Sequence, residues 1–338
     1  MHEGEAGAGP GALPPLVAAM MAPGFYRHRP ARVELRQTHI SYVLLAGAYV
    51  YKIKKPVRFA FLDYGTLERR RHFCEEEVRL NRRLAPDVYL GVVPLIERAG
   101  SFELGEGAVA TPGWTTVEYA VRMRRLPDDR MLDRLLKAGR VREEDLRAVA
   151  RRLASFHSAA STEDAPLFGA PDAVARTLEE NFEETEPLVG RTISEPDFAA
   201  IRRYSTRFLA ENREVFKVRI REGRVREGHG DLRAEHVCLI DGVVVFDCVE
   251  FSKRLRYCDV SSELAFLAMD LDFLGAPVLA RDLIRAYAGA TGDETLTALL
   301  PFYQCYRAYV RGKVESLKSM EAEVPGGERE RAGSAARR

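Results

Sequence analysis

The sequence predicts an α+β protein in which a small antiparallel sheet is followed by a larger, mainly helical region. Three observations support this prediction. Short β-branched and aromatic runs interrupted by Ala-Gly lie between residues 31 and 58. Helical periodicity replaces them after Leu126-Pro127. A single short hairpin, VCLI-DG-VVVF, with a strong Asp241-Gly242 turn signal, interrupts the helices.

The first part of the chain reads strand, strand, helix, strand, strand. Consecutive antiparallel strands are predicted within 31–58, and further strands over 92–97 and 114–123. A helix is predicted from Thr66 to Leu84, because Thr66 can cap its start and Pro86 prevents its continuation.

The rest of the chain is predicted to be helical over 129–138, 143–160, 172–185, 196–216, 258–270, 277–291 and 293–319. We therefore divide the chain into four parts: an extension with a short helix (1–29), a sheet lobe (30–126), a helical lobe (127–322) and a tail (323–338). Both ends are rich in Gly, Ala and charge, so residues 1–12 and the tail are predicted to be disordered.

Composition excludes several classes of function. Lys and Arg total 51 against 50 Asp and Glu, so the net charge of +1 provides no global attraction to nucleic acid or an acidic membrane. The five cysteines form no CxxC pair, which favours buried thiols over disulfides or zinc. No signal peptide or bilayer-spanning segment is recognised, so we expect a cytoplasmic protein that binds neither membranes nor nucleic acid.

Glu77 is the first residue that is costly to place. It lies on the apolar stripe formed by Phe73, Leu80 and Leu84 of the predicted helix, where a carboxylate needs a cation to offset its desolvation. Lys52, in the strand AYVYKIKK, can supply that cation, and Lys54 shares its face of the strand. The alternative is that both lysines protect an exposed edge strand from aggregation.

Asp231 and Asp247 flank the short hairpin, whose geometry brings them close. Two neighbouring carboxylates repel unless a cation separates them or one remains protonated, which indicates a divalent metal or acid/base chemistry. Because the sequence offers so few hard oxygen ligands, it favours magnesium whose coordination is completed by a phosphate over a metal site formed by protein alone. The alternative is structural: Asp231 caps a helix and Asp247 closes a turn.

Three segments together resemble the aminoglycoside phosphotransferase-like, choline-kinase-type kinases, in particular an uncharacterised bacterial branch of that family. They are VYKIKKPV, FLDYGTLERRRHFCEEEVRLNRRLAPDVYLGVVP and HGDLRAEHVCLIDGVVVFDCVEF. The resemblance covers residues 30–290 and implies a bilobal protein-kinase-like fold. It also implies transfer of a γ-phosphoryl group from ATP, with GTP as the alternative, to a hydroxyl of a sugar, aminoglycoside or amino alcohol, using Mg²⁺ or Mn²⁺.

The resemblance also implies residue roles. Lys52 is expected to contact the nucleotide phosphates and Glu77 to orient it. Asp231 is expected to align the acceptor hydroxyl, and Asp247 to bind the metal. Arg233 is assigned to the catalytic loop, where it either balances the loop's charge or binds an anionic part of the acceptor.

Two departures from the family pattern stand out. His236 replaces the usual metal-binding Asn, and imidazole is a poor ligand for magnesium. THISYVLLAGAYVYK lacks a glycine-rich loop, so backbone amides and hydroxyls around Thr38 and Ser41 are expected to contact phosphates, and Met123 is added to the nucleotide site. These departures motivate the alternative of a nucleotide-binding pseudokinase or regulatory module without turnover.

Other residues are given supporting roles. Asp259 is expected to brace the catalytic loop or cap the next helix, and His229 to hold the loop by hydrogen bonds. Glu250 is expected to be solvated or paired with a nearby arginine, with the metal shell as the alternative. Asp270 and Asp272 are expected to be surface or cleft-rim charges. Acidic residues of one helix either receive a cationic sugar or form a solvated face; they are Glu179, Glu180, Glu183, Glu184 and Glu186.

Overall fold

The computed structural model describes residues 13–59, 62–105, 112–320 and 326–337, so the predicted disorder of residues 1–12 lies outside them. The chain divides into two compact units. The sheet unit comprises Met1–Pro127 with Glu250–Ser252, and the helical unit comprises Asp128–Val249 with Lys253–Arg338.

A six-stranded antiparallel sheet forms most of the sheet unit. Its strands are β1 (Val33–Gln37), β2 (Ser41–Ala46), β3 (Tyr49–Lys54), β6 (Tyr89–Arg98), β7 (Ser101–Leu104) and β8 (Thr115–Arg124), with the short pair β4 (Arg58–Phe59) and β5 (Leu62–Asp63) beside it. The order across the sheet is β1-β2-β3-β8-β6-β7. Two helices complete the unit, α1 (Pro15–Met20) and α2 (Leu67–Asn81).

The two faces of β3 have different neighbours because side chains alternate along a strand. Tyr51 and Ile53 join a buried apolar cluster that includes Met20 and Tyr26 from the start of the chain. The opposite face carries Lys52 and Lys54 toward α2. The N-terminal segment therefore covers one face of the sheet, and α2 covers the other.

Helix α2 begins and ends close to its predicted limits. Thr66 caps it, its side chain accepting a hydrogen bond from the Arg69 amide. Glu77 and Leu80 are buried on the predicted stripe, and so is Leu84, just beyond the helix end. The strand β7 was missed by the sequence prediction. It pairs with β6 across a tight turn at Ala99-Gly100, where both residues adopt positive φ.

The helical unit is built around the helix α10 (Val260–Phe273), of which ten of 14 residues are buried. The helices of the unit are α3 (Leu132–Lys137), α4 (Glu143–Ala159), α5 (Ala165–Phe168), α6 (Pro171–Thr185), α7 (Glu195–Glu211), α8 (Arg213–Arg221), α9 (Lys253–Arg256), α10 (Val260–Phe273), α11 (Pro277–Thr291), α12 (Leu296–Met320) and α13 (Gly326–Ala336). Two antiparallel pairs interrupt them, β9 (Val225–Glu227) with β12 (Tyr257–Asp259) and β10 (Val237–Ile240) with β11 (Gly242–Val245).

The predicted α+β architecture, with an antiparallel-sheet part, a mainly helical part and a short hairpin, is confirmed. Two helical predictions differ from the structure. The single helix expected over 196–216 breaks at Asn212, whose backbone is not helical, and gives α7 and α8. The tail expected to be disordered contains α13, because Ala332 and Gly333 provide a small apolar face that packs on α12.

Among the residues that the structure describes, no helix combines the length and the apolar character needed to cross a bilayer. All five cysteines are free thiols, and Cys74, Cys238 and Cys248 are buried, as the sequence predicts.

A buried guanidinium joins three segments of the helical unit. Arg219 on α8 donates to both carboxylate oxygens of Asp259 (2.5 and 2.7 Å), the residue that caps α10. It also donates to both oxygens of Asp293, between α11 and α12, at 3.0 and 3.1 Å. Because all three charges are buried, each depends on the others to offset its desolvation.

Replacing Arg219 with Gln is expected to lower the free energy of unfolding by about 3–5 kcal/mol, because Asp259 loses its bidentate cation and Asp293 keeps only Arg224, at 3.7 Å. Urea denaturation measures the change. The matched control is Arg221→Gln on the exposed part of the same helix, expected to change stability by less than about 0.5 kcal/mol. Equal losses in the two variants would contradict this role for Arg219.

Candidate active site

Glu77 is fully buried in the sheet unit and binds two lysines. Lys52 Nζ lies 2.9 Å from Glu77 Oε1, and Lys54 Nζ lies 2.8 Å from Oε2. The Lys52–Glu77 contact predicted from the sequence is therefore present. The edge-strand alternative is wrong, because β3 is an internal strand between β2 and β8.

Lys54 has a further partner that the sequence did not reveal. Its ammonium contacts Glu250 and the hydroxyl of Tyr64, and Tyr64 also donates to Glu250. Burial alone lowers the pKa of Lys54, but the charges of Glu250 and Glu77 outweigh it and raise that pKa. The expectation that Glu250 is solvated or paired with an arginine is wrong, since Glu250 is buried against Lys54.

The two lysines differ in access to solvent. The Lys54 side chain is 0% exposed, whereas that of Lys52 is 13% exposed. With Lys54 enclosed by two carboxylates and a phenol, Lys52 is the member of the pair with an ammonium that a bound anion can reach.

Asp231 lies in the loop before β10 in the helical unit, with both carboxylate oxygens bound by Arg233. Arg233 Nε and Nη2 each lie 3.0 Å from one oxygen. Burial raises the pKa of Asp231, but the neighbouring Arg233 and His236 outweigh it and lower that pKa from 3.8 to about 2. Asp231 is therefore an ionised, fixed hydrogen-bond acceptor. Arg233 balances the charge of the loop, one of its two predicted roles.

His236 lies between the two aspartates. Its Nδ1 is 2.7 Å from the backbone carbonyl of Asp231, and because a carbonyl can only accept, Nδ1 carries the proton. The lone pair is then on Nε2, which lies 3.4 Å from the donor Arg233 Nη2 and 3.7 Å from Asp247 Oδ2. A histidine that donates its other N–H to a carbonyl is the usual arrangement of a metal ligand.

Asp247 follows β11 in a left-handed conformation, with φ of +64°. Non-glycine residues adopt this region at a cost of about 1–3 kcal/mol, and they are concentrated at functional sites. Its side chain is 42% exposed, more than that of Asp231. The conformation therefore holds an accessible carboxylate beside His236.

The donor set fits a cation that is shared with a phosphate. Within the described ranges, no group of three or more His, Cys, Asp or Glu side chains is placed to hold a metal ion by itself. One carboxylate and one imidazole nitrogen leave most coordination positions to phosphate oxygens and water, as Mg²⁺ prefers in nucleotide sites. Nε2 suits Mn²⁺ better than Mg²⁺ as a direct ligand.

Glu263 braces the loop that carries Asp231. Its carboxylate accepts hydrogen bonds from the His229 amide (2.8 and 2.9 Å) and the Gly230 amide (2.5 Å). A Cβ at Gly228 would lie 2.4 Å from Glu263 Oε2, so glycine is required there. The bracing role expected of Asp259 is therefore wrong: Asp259 caps α10 and binds Arg219, and Glu263, four residues later, contacts the loop.

The support extends on both sides of Glu263. His157 Nε2 donates to Glu263 at 3.0 Å, and its Nδ1 lies 2.8 Å from the Tyr287 hydroxyl. His229 Nε2 donates to the carbonyl of Phe246 at 2.8 Å, immediately before Asp247. The expectation that His229 holds the loop by hydrogen bonds agrees with these contacts. Burial lowers the pKa of His229, which favours this neutral form.

The remaining residues predicted for the nucleotide site are Thr38, Ser41 and Met123. The Thr38 hydroxyl accepts from the Ile40 and Ser41 amides, so those two amides are already bound within the β1–β2 turn, and the Ser41 side chain is buried. Met123 is buried on β8, opposite Val50 of β3. These positions remove two amides from the set proposed to contact phosphates.

The structure also places Asp270 and the acidic residues of α6. Asp270, expected as a surface or cleft-rim charge, is half-buried and accepts a hydrogen bond from the Ala234 amide at 2.8 Å, and burial raises its pKa. The acidic residues of α6 are largely occupied by basic partners, which favours a solvated, ion-paired face over a receptor for a cationic sugar. Their pairs are Glu179–Arg202, Glu180–Arg254 and Glu184–Lys313.

Comparison of the sequence with known proteins identifies relatives without an assigned function. Three uncharacterised proteins, from two strains of Mycobacterium tuberculosis and from Mycobacterium bovis, are 36% identical over 288 residues. The match covers 85% of this chain, but the chain spans only 55% of the length of those relatives. No protein-family model matches the sequence.

Comparison with solved structures identifies distant similarities. An ethanolamine kinase of Plasmodium vivax is 14% identical, with a TM-score of 0.45 over 90% of this chain and 80% of its own. A choline/ethanolamine kinase family protein of Mesorhizobium loti is 12% identical, with a TM-score of 0.47 over 95% and 98%. Neither similarity is close enough to assign an activity.

The different environments of the two lysines predict that replacing Lys54 destabilises the fold much more than replacing Lys52. Lys54→Met is expected to lower the free energy of unfolding by about 3–5 kcal/mol, because it leaves Glu77 and Glu250 buried with less compensating charge. Lys52→Met is expected to cost about 1 kcal/mol or less, because Glu77 retains Lys54. Urea denaturation of the two variants provides a matched comparison, and a larger loss for Lys52→Met would contradict it.

Glu263 predicts a pH dependence of stability. Burial raises its pKa, but hydrogen bonds from His157 and the loop outweigh it and lower the pKa from 4.5 to about 2. A carboxylate with a depressed pKa stabilises the fold above its unfolded value, and this stabilisation is lost as pH falls from about 4.5 toward 2. It amounts to about 3 kcal/mol.

Glu263→Gln is therefore expected to make the free energy of unfolding less dependent on pH below about 4.5 than in the unmodified protein. Denaturant titrations at several acidic pH values measure this slope. Glu222→Gln, at an exposed position, is the control and is expected to retain the original slope. An unchanged slope in Glu263→Gln would rule out the proposed contribution.

Proposed function

We propose that the protein is a phosphotransferase that moves the γ-phosphoryl group of ATP to a hydroxyl of a small molecule. The oxygen–phosphorus bond to the β-phosphate breaks, a bond from phosphorus to the hydroxyl oxygen forms, and the nucleoside diphosphate leaves. The hydroxyl proton is released to Asp231 or through it to solvent. The first acceptors to test are those that the resemblance implies: sugars, aminoglycosides and amino alcohols.

The Lys52–Glu77 ion pair is the observation that carries the proposal. The sequence predicts it from a kinase-type role, and the two side chains are in contact at 2.9 Å. Phosphoryl transfer depends mainly on positioning and on electrostatic stabilisation of a spread negative charge, so a fixed ammonium is the group it needs. Lys54 supports this role by binding the second oxygen of Glu77.

The helical unit supplies the complementary groups. Asp231, fixed by Arg233 and the Glu263 brace, aligns the hydroxyl as a hydrogen-bond acceptor. Asp247 and His236 Nε2 would hold a divalent cation, which neutralises phosphate charge when bound. The remaining lone pairs of Asp231 stay available for the hydroxyl, because each of its oxygens receives a single bond from Arg233.

A nucleotide-binding module without turnover is the second candidate. Two observations favour it: Arg233 binds both oxygens of Asp231, and a histidine replaces the expected metal-binding Asn. The first engages the aspartate that would align the acceptor, and the second weakens the metal site. Neither alters the lysine pair of the sheet unit. Turnover, rather than nucleotide binding, distinguishes the two functions.

Asp231→Ala is expected to reduce Mg²⁺-dependent phosphate transfer by about 10²- to 10⁴-fold, since the group that aligns the hydroxyl is lost. Nucleotide affinity is expected to change little. The assay follows ATP consumption over a panel of sugars, aminoglycosides, amino alcohols and nucleosides, with nucleotide binding measured by calorimetry.

The matched control is Asp172→Ala, which removes an exposed aspartate paired with Arg213 on the surface. It is expected to retain full activity. Nucleotide binding by the unmodified protein without phosphorylation of any acceptor would favour the module. Full activity of Asp231→Ala would refute the proposed role of that residue.

A further inference from the structure

A small cavity lies inside the helical unit, next to the loop that carries Asp231. Its volume is about 60 Å³, enough for a few water-sized groups, and its walls come from α5, α6, α10, α12 and the segment around β12. The lining includes five aromatic rings and two guanidiniums, from Phe168, Tyr257, Phe302, Tyr303, Tyr306, Arg254 and Arg307.

Arg307 is the unusual member of this lining. It is only 6% exposed, yet no ion pair with a carboxylate includes it among the described residues. Its Nε donates to the Ser262 hydroxyl at 3.1 Å, and its Nη1 lies 3.5 Å from the Gly230 carbonyl. These acceptors and the nearby Cys258 thiol carry no formal charge, so they do not neutralise the guanidinium.

The nearby acids do not compensate this charge by direct contact. Asp259, which also lines the cavity, binds Arg219 and the Ser261 amide. Glu263 binds the loop amides and His157. The ring centroids of Phe266 and Tyr306 lie 4.7 and 5.7 Å from the guanidinium carbon of Arg307. These cation–π contacts reduce the cost of burying the charge but do not supply an opposite charge.

A buried cation without an acid partner is costly unless an anion binds to it. We propose that this cavity binds an anionic group, a carboxylate or a phosphate, carried by the molecule whose hydroxyl is phosphorylated. Arg254, at the cavity and 44% exposed, is paired with Glu180 and adds a second cation at the cavity's edge. Hydrogen bonds from a guanidinium to an anion are electrostatically stronger in such a protein interior than in water.

The position of Arg307 links the anion to the reaction. Its Nη1 approaches the carbonyl of Gly230, the residue before Asp231. An acceptor held by its anionic group at Arg307 is thereby held beside the loop that aligns its hydroxyl. The identity of the acceptor rests on the proposed function, whereas the anion site itself does not.

Calorimetric titration of the whole protein with D-glycerate, inorganic phosphate and glycerol, without nucleotide, tests the site. Saturable binding of one or both anions is expected, and glycerol is expected to bind far more weakly. Glycerate alone indicates a carboxylate site, and phosphate alone indicates a phosphate site. Absence of saturable binding by either anion would overturn the proposal.

Substitution of Arg307 then assigns the binding to this cavity. Arg307→Gln is expected to weaken anion binding by about 10- to 100-fold, and Arg307→Lys to weaken it less. Arg202→Gln, on an exposed arginine outside the cavity, is expected to bind as the unmodified protein does. Unchanged affinity in Arg307→Gln would overturn the proposal. Circular dichroism checks folding, and if Arg307→Gln does not fold, loss of affinity in Arg254→Gln decides instead.

Turnover assays separate this inference from the proposed function. If the anions bind through Arg307 but neither glycerate nor any other acceptor is phosphorylated, the site stands and the proposed function fails. If neutral acceptors are phosphorylated as well as their anionic counterparts, with no dependence on Arg307, the proposed function stands and the inference fails.

Discussion

The buried carboxylate of Glu263 is the interaction on which the candidate catalytic loop depends. Buried backbone amides must be paired, and the loop has two, at His229 and Gly230, that Glu263 satisfies together. His229 also positions the next segment, because its side chain donates a hydrogen bond to the carbonyl of Phe246. A single acid therefore sets the position of Asp231 directly and that of the segment leading to Asp247 through one imidazole.

The sheet unit meets a similar requirement by alternating charges. Its charged side chains form a spatial row of alternating sign, in the order Lys52, Glu77, Lys54 and Glu250. Burying such a set costs desolvation energy, which the contacts of Lys54 with both carboxylates offset. Lys54 is enclosed by these contacts, whereas Lys52 is the more exposed of the two lysines.

The sequence predicts these residues unevenly, for physical reasons. Glu77 was identifiable because it interrupts an amphipathic stripe, and a buried carboxylate implies a nearby cation. Glu263 was not, because α10 is apolar on nearly all sides and offers no stripe to interrupt. The choice between Lys52 and Lys54 could not be made from period-two alternation, which places both on one face. Contacts with Glu250 depend on the fold and have no local signal.

The packing of Met20 and Tyr26 against the sheet has a practical consequence for dissecting the protein. The resemblance to known kinases begins near residue 30, which makes that position an obvious starting point for a shortened chain. Such a chain would expose the face of β3 formed by Tyr51 and Ile53, and exposed apolar sheet surfaces favour aggregation. Residues before position 30 are thus part of the sheet unit's core, and expression of the isolated unit should retain them.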